Sequence, residues 1–174
     1  MHKPLLLVDI DGVISLSGFD PQRPPAGRFE LVEGIVHFLS SRAGELLAAF
    51  SDEFELVWCS GWEEKADEHL PRALGLPSGL HHLTFPTQPT SVAGLPEAQR
   101  RHWKLAAIDA YAGPDRALAW IDDAFDASCH AWAQARPGPT RLVETDPAIG
   151  FTAEQASGLR DWARTLSSVS GHDR

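Results

Sequence analysis

An apolar run, Leu5-Leu6-Leu7-Val8, closes abruptly on Asp9-Ile10-Asp11-Gly12-Val13. So short a run, bounded by Pro4 and Gly12, suits a strand buried on both faces and lacks the length of a buried helix. Side chains alternate along a strand, so residues two apart share a face. Asp9 and Asp11 are therefore expected to project together into one space where the strand ends. Two anions there repel unless a cation joins them. The pair reads equally well as solvated aspartates at a strand-to-turn junction, and other stretches have to decide.

A chain of 174 residues, 43% hydrophobic and 22% charged, has the size and composition of one soluble globular domain. We expect that domain over residues 1–168 and a frayed tail over 169–174. No apolar run is long enough to span a bilayer, and the first residues lack a secretory pattern, so the cytoplasm is the default compartment. The two cysteines, Cys59 and Cys129, show neither metal-ligand spacing nor a disulfide framework and read as buried thiols. A formal charge of −9 disfavours a broad basic nucleic-acid-binding surface, while leaving room for a local basic patch.

From Ser15 to Glu33, Gly18, Pro21, Pro24, Pro25 and Gly27 forbid a long helix and predict a loop or hairpin flap beside the carboxylates. Arg23 and Arg28 in it are candidates to reach a substrate anion, or simply solvated arginines. Residues 35–39 form a short strand, and Ala43, Leu46, Leu47 and Phe50 mark an amphipathic crossover helix. Residues 54–59 are the next strand, closing on Ser60-Gly61-Trp62-Glu63. That Ser-x-x-Glu pattern predicts a capping box opening a helix that Pro71 interrupts and Gly75 ends. Ser60 can equally be a phosphate contact beside free backbone amides. Leu80 to Phe85 is a third strand, in which His81 and His82 face opposite sides and make poor partners for one metal.

A proline-rich loop, residues 86–96, leads to a helix over 97–112 with Lys104 in its first half. Arg100, Arg101 and Lys104 make a basic cluster around Trp103. The apolar run 117–121 ends in Asp122-Asp123, with Asp126 three residues on, which repeats the design of the opening stretch. A helix through Phe125, Cys129 and Trp132, a strand over 141–143 and a final helix opened by Thr152-x-x-Gln155 complete the chain. Alternating strands and helices predict an α/β Rossmann-like three-layer sandwich around a parallel sheet of about five strands. Ligands of such sheets bind at the carboxyl ends of the strands.

Asp9-Ile10-Asp11-Gly12-Val13, Ser60 ending a strand, Lys104 and the Asp122-Asp123 pair together resemble the four motifs of haloacid dehalogenase (HAD) superfamily phosphohydrolases. Val57-Trp58-Cys59-Ser60-Gly61-Trp62-Glu63, Trp103-Lys104 and Trp120-Ile121-Asp122-Asp123 more narrowly resemble the HAD domain of bacterial "Swiss Army Knife" RNA repair proteins. Thr is common there where this chain has Ser60. The resemblance implies a HAD-like, capless fold and a Mg²⁺-dependent phosphatase, a hydrolase acting through an aspartyl-phosphate. It implies that Asp9 is the nucleophile and a metal ligand, and that Asp11 is the general acid and base, its backbone carbonyl also on the metal. Ser60, with Gly61 and Trp62, would bind the phosphoryl group, and Lys104 would offset charge on Asp9 and the phosphate. Asp122 would ligate the metal, with Asp123 or Asp126 as the second acid. Hard oxygen donors without a Cys or His cluster favour Mg²⁺.

The inserts are short where the larger caps of that superfamily stand, so the resemblance implies an open site, suited to a phosphorylated large substrate such as a nucleic-acid end. Trp62 and Trp103 could stack a base there, or be ordinary core residues. A small-metabolite (nucleotide or sugar) phosphatase is the alternative, and a non-catalytic phosphate- or metal-binding module a third. Substrate identity and oligomeric state are not legible in the residues.

Overall fold

The computed structural model describes residues 3–86 and 101–169. In chain order its elements are β1 (Leu5–Val8), β2 (Ser15–Leu16), β3 (Gly27–Val32), β4 (Ile35–Ser40), α1 (Ser41–Ala48), β5 (Glu55–Trp58) and α2 (Glu64–Leu74). There follow β6 (His81–His82), α3 (Leu105–Ala112), β7 (Leu118–Asp122), α4 (Ala127–Ala135), β8 (Thr140–Glu144) and α5 (Ala153–Val169). The central sheet has five parallel strands in the order β6-β5-β1-β7-β8. Its middle strand is the opening apolar run, with Leu5, Leu6 and Leu7 0% exposed and Val8 2%.

Alternation along β1 sends Leu6 and Val8 into one core with α1, α2 and α5, and Leu5 and Leu7 into another with α3 and α4. Each fully buried leucine contributes roughly 1.5–3 kcal/mol. Helices cover both faces, which makes three layers. No helix among the described residues is long and apolar enough to cross a membrane.

The flap is a separate antiparallel sheet of order β2-β4-β3, so residues 35–40 pair within it and not in the central sheet. Its tight turn puts Glu33 at φ 51° and Gly34 at φ 82°, the left-handed pairing that two-residue hairpins use. Glu33 accepts a hydrogen bond from Lys65 at 2.8 Å, and Arg28 donates to the Ala73 carbonyl at 2.7 Å, so the flap is fastened along α2. Arg28 also pairs with Glu30. Through Ala73, Arg28 helps attach the flap to α2.

Several local expectations are corrected. The helix predicted over 97–112 begins only at Leu105; Lys104 immediately precedes it, and residues 97–100, Arg100 among them, lie outside the described residues. The third strand is shortened to His81–His82. Pro71 sits inside α2 near its end, where it removes only one backbone bond, and Gly75 at φ 69° ends the helix as the sequence suggests. The capping box of α5 forms: the Thr152 amide donates to Gln155 Oε1 at 3.0 Å and the Gln155 amide to Thr152 Oγ1 at 3.2 Å. The tail residues 170–174 and the loop residues 87–96 lie outside the described residues.

Candidate active site

The carboxyl ends of β1, β5 and β7 meet at one edge. The Asp9 amide donates to the Ile121 carbonyl at 3.0 Å, and the Cys59 amide to the Val8 carbonyl at 2.8 Å, which brings Asp9, Ser60 and Asp122 to adjoining strand ends. Lys104, 3% exposed, enters from the start of α3. Its Nζ lies 3.0 Å from Asp9 Oδ1 and 2.7 Å from Asp122 Oδ2. The same Asp122 oxygen accepts the Trp120 indole N–H at 3.1 Å, and Asp122 Oδ1 accepts the Ala124 amide at 3.1 Å.

Asp9, Asp122 and Asp123 each offer a carboxylate oxygen within 4.8 Å of one another. Burial pushes the Asp9 pKa up to about 7 despite the opposing pull of Lys104, and Asp122 adds to the rise. Asp123 is raised as well, by partial burial and then by Asp122. Burial works to lower the Lys104 pKa, but Asp9 and Asp122 outweigh it, so the ammonium stays charged. Among the described residues, one lysine set against three carboxylates favours a further cation in this set of hard oxygen donors. That chemistry fits a divalent cation of the Mg²⁺ kind.

Gly12 explains itself here. It holds φ 75°, and a Cβ on it would lie 2.2 Å from Asp123 Oδ2. Only glycine combines that conformation with so close an approach. Asp126, the competing second acid, is occupied otherwise: its Oδ1 caps α4 by accepting the Cys129 amide at 3.0 Å and the Ser128 hydroxyl at 2.6 Å.

Asp11 stands in a different setting from Asp9, outside the group of three close carboxylates but near enough to Asp123 to add to the rise in that residue's pKa. Its side chain is 64% exposed. Trp62 Nε1 donates to Asp11 Oδ2 at 3.1 Å, and His37 Nδ1 lies 4.0 Å from Oδ1. Ser60 is buried but is not a capping residue: Glu63 is the N-cap of α2, at φ 48°, with no side-chain cap. Ser60 Oγ instead accepts the Trp62 amide at 3.5 Å, a weak bond that leaves its hydroxyl available to a ligand. Gly61 borders Trp103, whose ring edge would be 3.9 Å from a Cβ there. Trp103 is 39% exposed and meets Phe85 edge-on at 4.6 Å. Arg101 pairs with Asp109, away from the acids.

The sequence motifs include Trp120 but give it no role, and they leave out Thr145 and His37. Trp120 stands two residues before Asp122 on β7, and the strand period places its indole on the same face. Thr145, buried just past β8, donates through Oγ1 to the Gly12 carbonyl at 2.9 Å. A polar residue at another strand end of the same sheet was its only signal. His37 had a weaker one, a lone imidazole in an apolar strand.

Residues 5–156 match the family described as the HAD domain in Swiss Army Knife RNA repair proteins, and the chain belongs to that family. No curated protein matches the sequence. Among solved structures, a hypothetical protein from Xanthomonas campestris is similar with a TM-score of 0.47 and 13% identity, over 99% of this chain and 90% of the other. At that level the likeness says nothing of function.

Proposed function

Starting from membership of that HAD family, we propose that the chain is a Mg²⁺-dependent phosphomonoesterase. The observation that carries this reading is the Lys104 ammonium shared between Asp9 and Asp122, with Asp123 completing an acidic group at the sheet edge. Asp9, Asp122 and Asp123, with the Asp11 backbone carbonyl, would hold the cation, which supplies positive charge against the phosphoryl oxygens. An oxygen of the ionised Asp9 carboxylate forms a bond to phosphorus as the bond to the leaving oxygen breaks, and Asp11 gives that oxygen its proton. Asp11, now ionised, takes a proton from water, whose oxygen attacks the aspartyl-phosphate. Phosphate leaves and Asp9 is restored. Lys104 balances charge on both sides of the transfer, and the buried Ser60 hydroxyl with the Gly61 and Trp62 amides would hold a phosphoryl oxygen.

The open surroundings of Asp11 and the exposed Trp103 at the rim favour a large substrate, such as a terminal phosphate of a nucleic acid. The formal charge of −9 favours the second reading, a small phosphorylated metabolite. Turnover of a phosphomonoester panel with Mg²⁺, lost in EDTA and in Asp9→Asn, is the expected result. Turnover indifferent to Asp9→Asn refutes the reading. Comparing kcat/KM on 3′- and 5′-phosphorylated oligonucleotides with that on nucleotides and sugar phosphates separates the two substrate classes.

A further inference from the structure

We infer that Trp62 and His37 are positioning residues for Asp11, the indole clamping its carboxylate and the flap imidazole closing the other side. The inference rests on the proton-transfer role proposed for Asp11. An aspartate whose side chain is 64% exposed is ordinarily free to change rotamer. Here one oxygen, Oδ2, accepts the Trp62 Nε1–H at 3.1 Å. The other, Oδ1, lies 4.0 Å from His37 Nδ1, beyond hydrogen-bond distance.

The two clamping groups are themselves fixed. The His37 and Trp62 rings meet edge-on with centroids 4.6 Å apart. His37 Nδ1 shares a hydrogen bond with Ser15 Oγ at 3.0 Å, and the Ser15 carbonyl accepts the Gly12 amide at 2.8 Å. Trp62 precedes α2, to which the flap is latched through Lys65 and Glu33 at 2.8 Å. Flap, helix start and acidic turn thus converge on one carboxylate.

Trp62→Phe keeps a ring and removes the donor. General acid catalysis matters for a poor leaving group and little for a good one, whereas a merely structural defect lowers both alike. The kcat/KM for an alkyl phosphate should therefore fall about tenfold further than that for p-nitrophenyl phosphate in Trp62→Phe, and by a smaller factor in His37→Phe. Equal losses on both esters, or none, overturn the inference while leaving the phosphatase reading intact. A wild type that turns over neither these esters nor phosphorylated oligonucleotides, nucleotides and sugar phosphates removes the reading and the inference with it. Independently of activity, the indole N–H resonance that vanishes in Trp62→Phe should shift in Asp11→Asn; an unmoved resonance overturns the clamp.

Discussion

Asp9 and Asp11 stand two residues apart at the end of one strand, in opposite surroundings. Asp9 is 7% exposed, ion-paired to a buried lysine and surrounded by two further acids. Asp11 faces solvent and is held by an indole N–H. The buried carboxylate is raised in pKa, so nearby positive charge favours its ionised form. The exposed one is open to water. On the proposed reading, this difference in environment, more than residue type, would divide attack from proton transfer.

The hardest blow to this contrast is at Asp9. Asp9→Asn should lower kcat by at least about 10³-fold, since a carboxamide cannot form the acyl-phosphate, whereas substitution of Ser60 should cost far less. Steady-state turnover with Mg²⁺ checks this, and residual activity within tenfold of wild type would make Asp9 no nucleophile.

Lys104→Met comes next. Removing the partner of two buried carboxylates should cost about 3–5 kcal/mol of stability in urea unfolding without metal. It should also lower kcat by roughly 10²-fold. A variant of unchanged stability would mean that Asp9 and Asp122 do not depend on the ammonium.

A smaller effect is a pH dependence peculiar to Asp9. Its folded-state pKa of about 7 lies above its ordinary 3.8. Below both values the carboxyl is protonated, folded or unfolded, and costs nothing. As pH rises from about 4 to about 7 the unfolded chain releases the proton first, so the residue increasingly destabilises the metal-free fold, and above that window the cost is constant. In EDTA, the unfolding free energy of Asp9→Asn relative to wild type should therefore grow across the window and then level. A difference flat with pH would erase the contrast in environment between the two aspartates.

The smallest expected effect concerns an acid outside the site. Asp126→Ala should cost about 1 kcal/mol through loss of the α4 cap and leave kcat within about twofold. A large loss of turnover at unchanged stability would return Asp126 to the acidic group.

Patterns carried by neighbours in the chain were legible. The four residues of β1, the repeat of its design at β7, the Thr152–Gln155 cap and the Gly75 stop are local devices, and each can be read without knowing the fold. The Ser60–Glu63 pattern looked equally local and misled, because Glu63 Oε1 accepts the Phe85 amide at 2.8 Å in place of a capping bond. A partner distant in sequence outcompeted the nearby one.

The sequence by itself determined which chemistry was on offer: acids ending two buried strands, a lysine before a helix, a serine after a strand and a glycine in the turn. Apolar runs long enough for strands and periodic enough for helices sufficed to bring those ends to one edge. Only the tertiary structure decided that Lys104 bridges Asp9 and Asp122, that Asp123 and not Asp126 joins them, and that Trp62 and His37 reach Asp11. Each of those choices rests on distances of a few ångströms between residues far apart in the chain. Such distances follow from how layers pack and where turns leave the strand period, and no local pattern encodes them.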